Sequence, residues 1–145
     1  SFGLGALAGA LATASMRGAS WRMFAAGAAG FGVSALLLAP IENAIVAGVL
    51  LFAVGVSFTL FTANANALVQ LGTPDRLRGR LIAIYLFAFV GLAPLGGLLA
   101  GALANIGGTP LAFAVAGVSS LATIAIASTW RARAQAPGIA AASRP

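Results

Sequence analysis

The fold is decided by an uncharged stretch of 28 residues, AIVAGVLLFAVGVSFTLFTANANALVQL, which runs from Ala44 to Leu71. As an α-helix rising about 1.5 Å per residue, it would be about 42 Å long, whereas the hydrocarbon core of a bilayer is about 30 Å thick. Such a helix must tilt or extend beyond the core, and its polar end, from Asn64 to Gln70, is expected to protrude. The stretch therefore predicts a transmembrane helix.

Four further apolar stretches flank this helix, separated by short links that contain proline, glycine or arginine. Membrane β-strands would show segments of about ten residues with alternating polarity, whereas these stretches are continuously apolar. We therefore predict an all-α fold, a polytopic transmembrane helical bundle of about five spans. The predicted spans are residues 1–15, 23–39, 44–71, 81–103 and 111–129, and residues 131–145 are predicted to form a disordered cytoplasmic tail.

The composition of the whole chain agrees with a membrane protein and excludes several functions. Apolar residues make up 61% of the 145 residues and charged residues only 7%, against about 25% charged residues in soluble domains. Cysteine and histidine are absent, which excludes disulfides, thiol nucleophiles and the metal sites that these residues build. No charged residue lies inside a predicted span, so an intramembrane enzyme is poorly supported. We expect no catalysis, no metal and no cofactor.

The eight arginines give the chain its formal net charge of +6. They form three small clusters separated by long apolar stretches, so they do not build one basic face for nucleic acid. Five spans place all three clusters on one side of the membrane, which the positive-inside rule identifies as cytoplasmic. We therefore expect a multi-pass protein of the cell (inner) membrane with a cytoplasmic C-terminus. The arginines are Arg17, Arg22, Arg76, Arg78, Arg80, Arg131, Arg133 and Arg144.

The third span carries polar residues that are costly to expose to lipid. At 100° per residue, four of them fall within about 80° of one another on the helix, while Ser57 and Asn64 lie nearly opposite. One interpretation is that the four line an aqueous cavity; the other is that they bond neighbouring helices together or lie at the membrane interface. The four are Thr59, Thr62, Asn66 and Gln70, of which Thr59, Thr62 and Asn66 are the cavity-lining candidates.

The fourth span concentrates small residues around a proline. Pro94 removes the hydrogen bond to the carbonyl of Val90, so we expect a kink there. Gly97 and Gly101 are four residues apart, which lets another helix approach closely. The segment is therefore either a bending element of a moving bundle or a site of static packing. The candidate bending and packing residues are Gly91, Pro94, Gly96, Gly97 and Gly101.

The link between the third and fourth spans contains the charged residues Asp75, Arg76, Arg78 and Arg80. These residues either form a charge network that stabilises one state of the protein, or belong to a solvated loop whose arginines lie among lipid phosphates. A single surface pair contributes only about 0–1 kcal/mol, so only a network could bias a conformational equilibrium.

The sequence ANALVQLGTPDRLRGR runs from Ala65 to Arg80 and is followed by Tyr85 and by GLAPLG from Gly91 to Gly96. This region resembles the segment that joins helices ten and eleven in the major facilitator superfamily. It resembles in particular the bacterial exporter branch that includes the enterobactin exporters, and its proline and glycines are similar to the antiporter motif of that superfamily. The resemblance implies that residues 1–130 are helices eight to twelve of a twelve-helix fold. We therefore expect the chain to be the C-terminal part of a longer polypeptide.

The residues and the resemblance together predict part of a secondary active transporter. It would export small amphipathic molecules of the drug or siderophore type by alternating access. Its partners would be the lipid bilayer, the small-molecule substrate and the missing N-terminal half, with no nucleic acid. The alternative is a multi-span scaffold or assembly subunit without transport, in which small and polar residues only hold helices together.

Overall fold

The structure, a computed structural model, describes residues 1–15, 18–72 and 74–134, without the side chains of residues 75, 78 and 134. The described residues form four helices and no strand, so the predicted all-α fold is confirmed. The helices are α1 Phe2–Ser15, α2 Trp21–Leu38, α3 Ala44–Leu71 and α4 Asp75–Ala134. Residues 131–134 belong to α4, although the sequence predicts a tail from 131 onward. Arg17, Arg144 and the rest of the predicted tail lie outside the described residues.

Polar side chains cap the beginnings of α2 and α3. The Ser20 hydroxyl accepts a hydrogen bond from the Arg22 N–H at 3.3 Å. The Asn43 side-chain oxygen accepts hydrogen bonds from the N–H groups of Ile45 (2.9 Å) and Val46 (3.2 Å). These caps satisfy N–H groups that the first turn of a helix leaves without helical partners. The two short links therefore fix where α2 and α3 begin.

Two glycines divide α4 into a first segment, residues 75–106, and a second segment, residues 109–134. Gly107 (φ −130°, ψ 18°) and Gly108 (φ 74°, ψ 174°) leave the helical conformation. The positive φ of Gly108 is one that residues with a Cβ rarely adopt. Pro110 lies in the first turn of the second segment, where the missing N–H of proline costs no helical hydrogen bond. The break lies between the regions that the sequence predicts as the fourth and fifth spans.

Glycines of α1 bring that helix into backbone contact with α3. A Cβ added to Gly5 would collide with the Phe52 carbonyl group, and one added to Gly9 would lie 2.8 Å from the Val56 carbonyl oxygen. Small residues permit such close approach in membrane helices, where dispersion contacts replace the hydrophobic effect as the driving force. Because later residues of α1 contact later residues of α3, the two helices are parallel.

On its other side, α3 packs against α2 in the antiparallel sense. A Cβ added to Gly27 would lie 2.6 Å from the Phe61 nitrogen, and the Ser20 N–H donates a hydrogen bond to the Asn64 side-chain oxygen at 3.1 Å. The rings of Phe31 and Phe58 also contact, with centroids 6.2 Å apart. Since earlier residues of α2 contact later residues of α3, the helices run in opposite directions, and α3 is the central helix of the bundle.

The second segment of α4 crosses α2 through a reciprocal contact. A Cβ on Gly32 would lie 2.7 Å from Leu121 Cγ and 3.0 Å from the Gly117 carbonyl oxygen. A Cβ on Gly117 would in turn lie 2.6 Å from Leu36 Cγ and 2.7 Å from the Gly32 carbonyl oxygen. A leucine of each helix thus packs over a glycine of the other. Because the later residues of α4 contact the earlier residues of α2, the two helices are antiparallel.

Three of the helices are long and apolar enough to cross a membrane, namely α2, α3 and α4 from Gly79 to Arg133. α1 is shorter, with 14 residues. Few of the described apolar residues are buried. Large apolar side chains such as Leu98, Leu99 and Phe87 have 71%, 66% and 80% of their surface exposed. So large an exposed apolar surface would cause association in water but suits a lipid environment. The number of spans in the membrane stays a prediction.

Candidate functional site

Thr59 and Thr62, two of the predicted cavity residues, bond to their own helix. The Thr59 hydroxyl donates to the Gly55 carbonyl at 3.1 Å, and the Thr62 hydroxyl donates to the Phe58 carbonyl at 2.9 Å. Thr59 also faces α1, where a Cβ on Gly9 would lie 3.0 Å from the Thr59 Cβ. In this arrangement Thr59 belongs to the α1–α3 contact, and the hydroxyl protons of both threonines already have acceptors.

Asn66 and Gln70 lie together at the end of α3. The Gln70 side-chain amide donates a hydrogen bond to the Asn66 side-chain oxygen at 2.7 Å. Both residues line a cavity of about 510 Å³ beside the link between α1 and α2, which contributes Gly18 and Ala19. The structure therefore places Asn66, one of the predicted cavity residues, at a cavity wall.

Asn64, which lies apart from the polar stripe on the helix, is the most deeply buried polar residue among those described, with 3% of its surface exposed. Its side-chain amide donates to the Leu60 carbonyl at 2.8 Å, and its side-chain oxygen accepts from the Ser20 N–H at 3.1 Å. Both ends of the amide are thus satisfied, which a buried polar group requires. Asn64 joins the link before α2 to the middle of the α3 polar region.

An aromatic cavity of about 310 Å³ lies where α2, α3 and the second segment of α4 meet. Four phenylalanines form one side, and the rings of Phe24 and Phe61 are 5.1 Å apart. The Ser120 hydroxyl donates to the Ala28 carbonyl at 2.9 Å and ties α4 to α2 at the cavity wall. The lining residues are Phe24, Ala28, Phe31, Phe58, Phe61, Ala116, Ser119, Ser120, Thr123, Ile124 and Ala127.

The hydroxyl groups of α4 give the aromatic cavity a polar edge. The Ser119 hydroxyl donates to the Ala116 carbonyl at 3.0 Å, and the Thr123 hydroxyl donates to the Ser119 carbonyl at 2.8 Å. Because their protons are used within the helix, these oxygens keep lone pairs that accept hydrogen bonds. Ser119 and Thr123 are exposed, so the cavity is open to the molecular surface. An apolar wall with a few hydroxyl acceptors is typical of sites for small amphipathic ligands.

Sequence reasoning missed this aromatic cavity, although part of its signal was present. Phe24 and Phe31 are seven residues apart and Phe58 and Phe61 three apart, so each pair lies on one face of its helix. Periodicity does not show that these two faces meet, nor that the serines and the threonine of α4 complete the wall.

The predicted bending segment stands apart from the other helices in the described structure. All residues from 86 to 102 are exposed, and a Cβ added to Gly96, Gly97 or Gly101 would meet nothing within 4 Å. A Cβ on Gly91 would reach only Phe87 of the same helix, at 4.0 Å. Pro94 lies within the helix of the first segment. Both interpretations of this segment, bending and packing, stay predictions.

The charged run after α3 is helical in the structure, whereas the sequence predicts a loop. α4 begins at Asp75, directly after Pro74, so Arg76, Arg78 and Arg80 lie in its first two turns. An acidic residue at the first position of a helix is favoured by the partial positive charge there. Arg76 and Arg80 are exposed, and the side chains of Asp75 and Arg78 lie outside the described part.

The comparison with protein families decides the broad class of the protein. The sequence profile of the transmembrane secretion effector family, a branch of the major facilitator superfamily, matches residues 1–143. The chain belongs to this family. No curated protein and no solved structure matches it.

Membership of the secretion effector family confirms the resemblance at the level of the superfamily. The protein is a multi-pass membrane protein of a transporter family, and this class points to transport without catalysis. The apolar helices and the absence of strands among the described residues agree with that class. In a transporter, the aromatic cavity and the Asn66–Gln70 cavity are spaces that a small molecule could enter.

Proposed function

We propose that this secretion effector exports small amphipathic molecules, of the drug or siderophore type, by alternating access. The chain would form the C-terminal part of the transporter in the cell inner membrane, with its C-terminus in the cytoplasm. Its partners would be the bilayer, the substrate and an N-terminal half, and it would not bind nucleic acid. The observation that carries this proposal is the aromatic cavity between α2, α3 and α4.

The cavity favours an amphipathic substrate because its walls differ in chemistry. Phenylalanine rings offer apolar surface to an aromatic or aliphatic group, while the oxygens of Ser119 and Thr123 accept hydrogen bonds from a polar group. The volume of about 310 Å³ is at the small end of the 300–1,000 Å³ range of ligand sites. The cavity would therefore hold one ring system or a short chain, rather than a peptide.

The exposed first segment of α4 supports a moving bundle. In the proposed transporter, the apolar faces around Pro94, Gly97 and Gly101 would pack against helices of the N-terminal half. A proline and flanking glycines allow a helix to bend while it slides along such a partner. Alternating access requires rearrangement of this kind between two packed states.

Filling the cavity tests the proposal. Ala116→Leu would add three carbons inside the cavity, and export of amphipathic dyes from cells that produce the full-length protein is expected to fall several-fold. Ala122→Leu is the matched control, because Ala122 is exposed on the same helix and does not line the cavity. Equal export by the two variants, at equal amounts of folded protein, would refute the cavity as a substrate site.

The scaffold alternative is favoured by one observation, the glycine contacts that hold α1, α2 and α3 together at backbone distance. A scaffold would keep its stability and assembly but show no export of any amphipathic dye. Absence of export by the wild-type protein, together with its recovery in a stable complex with other membrane proteins, would support the scaffold over the exporter.

A further inference from the structure

A cation–π contact joins the beginning of α2 to the end of α4. The Arg131 Cζ lies 4.9 Å from the centre of the Trp21 ring. The Trp21 ring is 5.0 Å from that of Phe24, which is 5.1 Å from the ring of Phe61 on α3. The Trp21 ring thus contacts the Arg131 guanidinium and is itself packed against Phe24, while Arg131 stays exposed.

This contact brings three arginines to one end of the α2–α4 pair. Arg22 follows Trp21 directly, Arg133 is two residues after Arg131, and all three arginines are exposed. The sequence has only two acidic residues, and one of them, Glu42, lies beyond the opposite end of α2. The other, Asp75, is the first residue of α4. The three exposed arginines give this end of the pair a positive charge that fits an anion.

Aromatic and apolar residues place the same end at the level of lipid headgroups. It holds both tryptophans of the chain, Trp21 and Trp130, and Trp130 is 71% exposed. Tryptophan prefers the membrane–water interface. Phe24 and Ala127 of the aromatic cavity lie one helical turn inward from Trp21 and Arg131, so apolar surface adjoins the arginines. Charge next to apolar surface at this level matches a molecule with an anionic head and hydrocarbon chains.

We propose that Trp21, Arg22, Arg131 and Arg133 form a binding site for the headgroup of an anionic phospholipid. The lipid phosphate accepts hydrogen bonds from the guanidinium groups, and the acyl chains lie along the apolar surface of α2 and α4. The Trp21 ring orients the Arg131 guanidinium for this contact. The site requires only membrane insertion, so lipid binding can be tested independently of the proposed export.

Native mass spectrometry of the full-length protein tests the site. The protein is released from nanodiscs containing equal amounts of phosphatidylglycerol and phosphatidylethanolamine, and the retained lipid is counted. We expect preferential retention of phosphatidylglycerol, and about a fivefold loss of its affinity for each of Arg22→Gln, Arg131→Gln and Arg133→Gln. The matched control is Arg76→Gln, which removes an exposed arginine elsewhere and should change the affinity less than twofold.

Further variants separate lipid binding from a structural effect. Trp21→Leu should lower the affinity for phosphatidylglycerol, and Trp21→Phe, which keeps an aromatic face for Arg131, should retain most of it. Arg131→Lys keeps the charge and should bind better than Arg131→Gln at the same thermal stability. Equal losses of affinity for phosphatidylglycerol in Arg76→Gln and Arg131→Gln would show a general electrostatic attraction between the protein and anionic lipid, and would overturn the proposal. Competition by inorganic phosphate at the concentration of the lipid would also overturn it, in favour of a soluble anion.

Discussion

Gly117→Ala is expected to destabilise the protein by separating α2 from α4. The new Cβ would lie 2.6 Å from Leu36 Cγ and 2.7 Å from the Gly32 carbonyl oxygen, whereas ordinary contacts of a Cβ are 3.4–4 Å. Leu36 can change its rotamer, but the carbonyl is part of the α2 backbone. The helices must therefore move apart by about 0.7 Å. Overpacking of this kind lowers the free energy of unfolding by about 1–3 kcal/mol.

The reciprocal variant, Gly32→Ala, should lower the free energy of unfolding less. Its Cβ would lie closest to the Leu121 side chain, at 2.7 Å, and the backbone oxygen of Gly117 is farther away, at 3.0 Å. In the double variant the helices are already apart, so the combined loss should be smaller than the sum by about 0.5 kcal/mol or more. Gly48→Ala is the control, because nothing lies within 4 Å of its added Cβ.

Denaturant titration in detergent micelles, followed by circular dichroism, measures these free energies of unfolding. The control should keep the wild-type free energy of unfolding or raise it by up to about 1 kcal/mol, because alanine favours a helix more than glycine does. A neutral Gly117→Ala, or strictly additive losses in the double variant, would refute the close approach of α2 and α4 at this crossing.

Three further predictions concern a buried amide, the membrane topology and the bending segment. Asn64→Leu removes the acceptor of the Ser20 backbone N–H. Because that N–H is then left without a partner, the free energy of unfolding should fall by about 1–3 kcal/mol in the same titration. A cysteine at Asn43 should react with an impermeant thiol reagent from outside the cell and one at Gly79 only from the cytoplasm; reversed labelling would contradict the orientation. Pro94→Ala should raise thermal stability while it slows export, and Gly97→Val should change the balance between inward-open and outward-open states. If both change export only in proportion to the amount of folded protein, the bending interpretation fails.

The helical class could be predicted because it depends on local polarity. The uncharged stretch from Ala44 to Leu71 needs no partner to favour a helix in lipid, where every backbone polar group must be bonded within the helix. Close packing could not be predicted in the same way. The spacing of Gly97 and Gly101 predicts a close helix contact in the fourth span. The close helix contacts in the described structure instead form at other glycines, such as Gly27 and Gly117. Spacing does not show which glycine faces a neighbour.

The candidate site depended even more on contacts between distant parts of the chain. The angular position of Asn64 on its helix shows that it lies apart from the polar stripe. It does not show the hydrogen bond to Ser20, because the two residues are 44 apart in the sequence. Thr59 and Thr62 belong to the predicted polar stripe, and their hydroxyls bond to carbonyls of their own helix. The aromatic cavity needs Ser120 of α4 beside α2, which no periodicity within one helix indicates.

Flux through the reconstituted full-length protein tests the central claim most directly, since the claim is export of amphipathic molecules by a pathway that includes the aromatic cavity. Proteoliposomes loaded with a fluorescent amphipathic dye are given an ion gradient, and the rate of dye movement is measured against dye concentration. The account predicts saturable movement that stops when the gradient is collapsed and slows several-fold in Ala116→Leu but not in Ala122→Leu. Folded wild-type protein that gives no saturable flux, or an Ala116→Leu variant that transports at the wild-type rate, would contradict it.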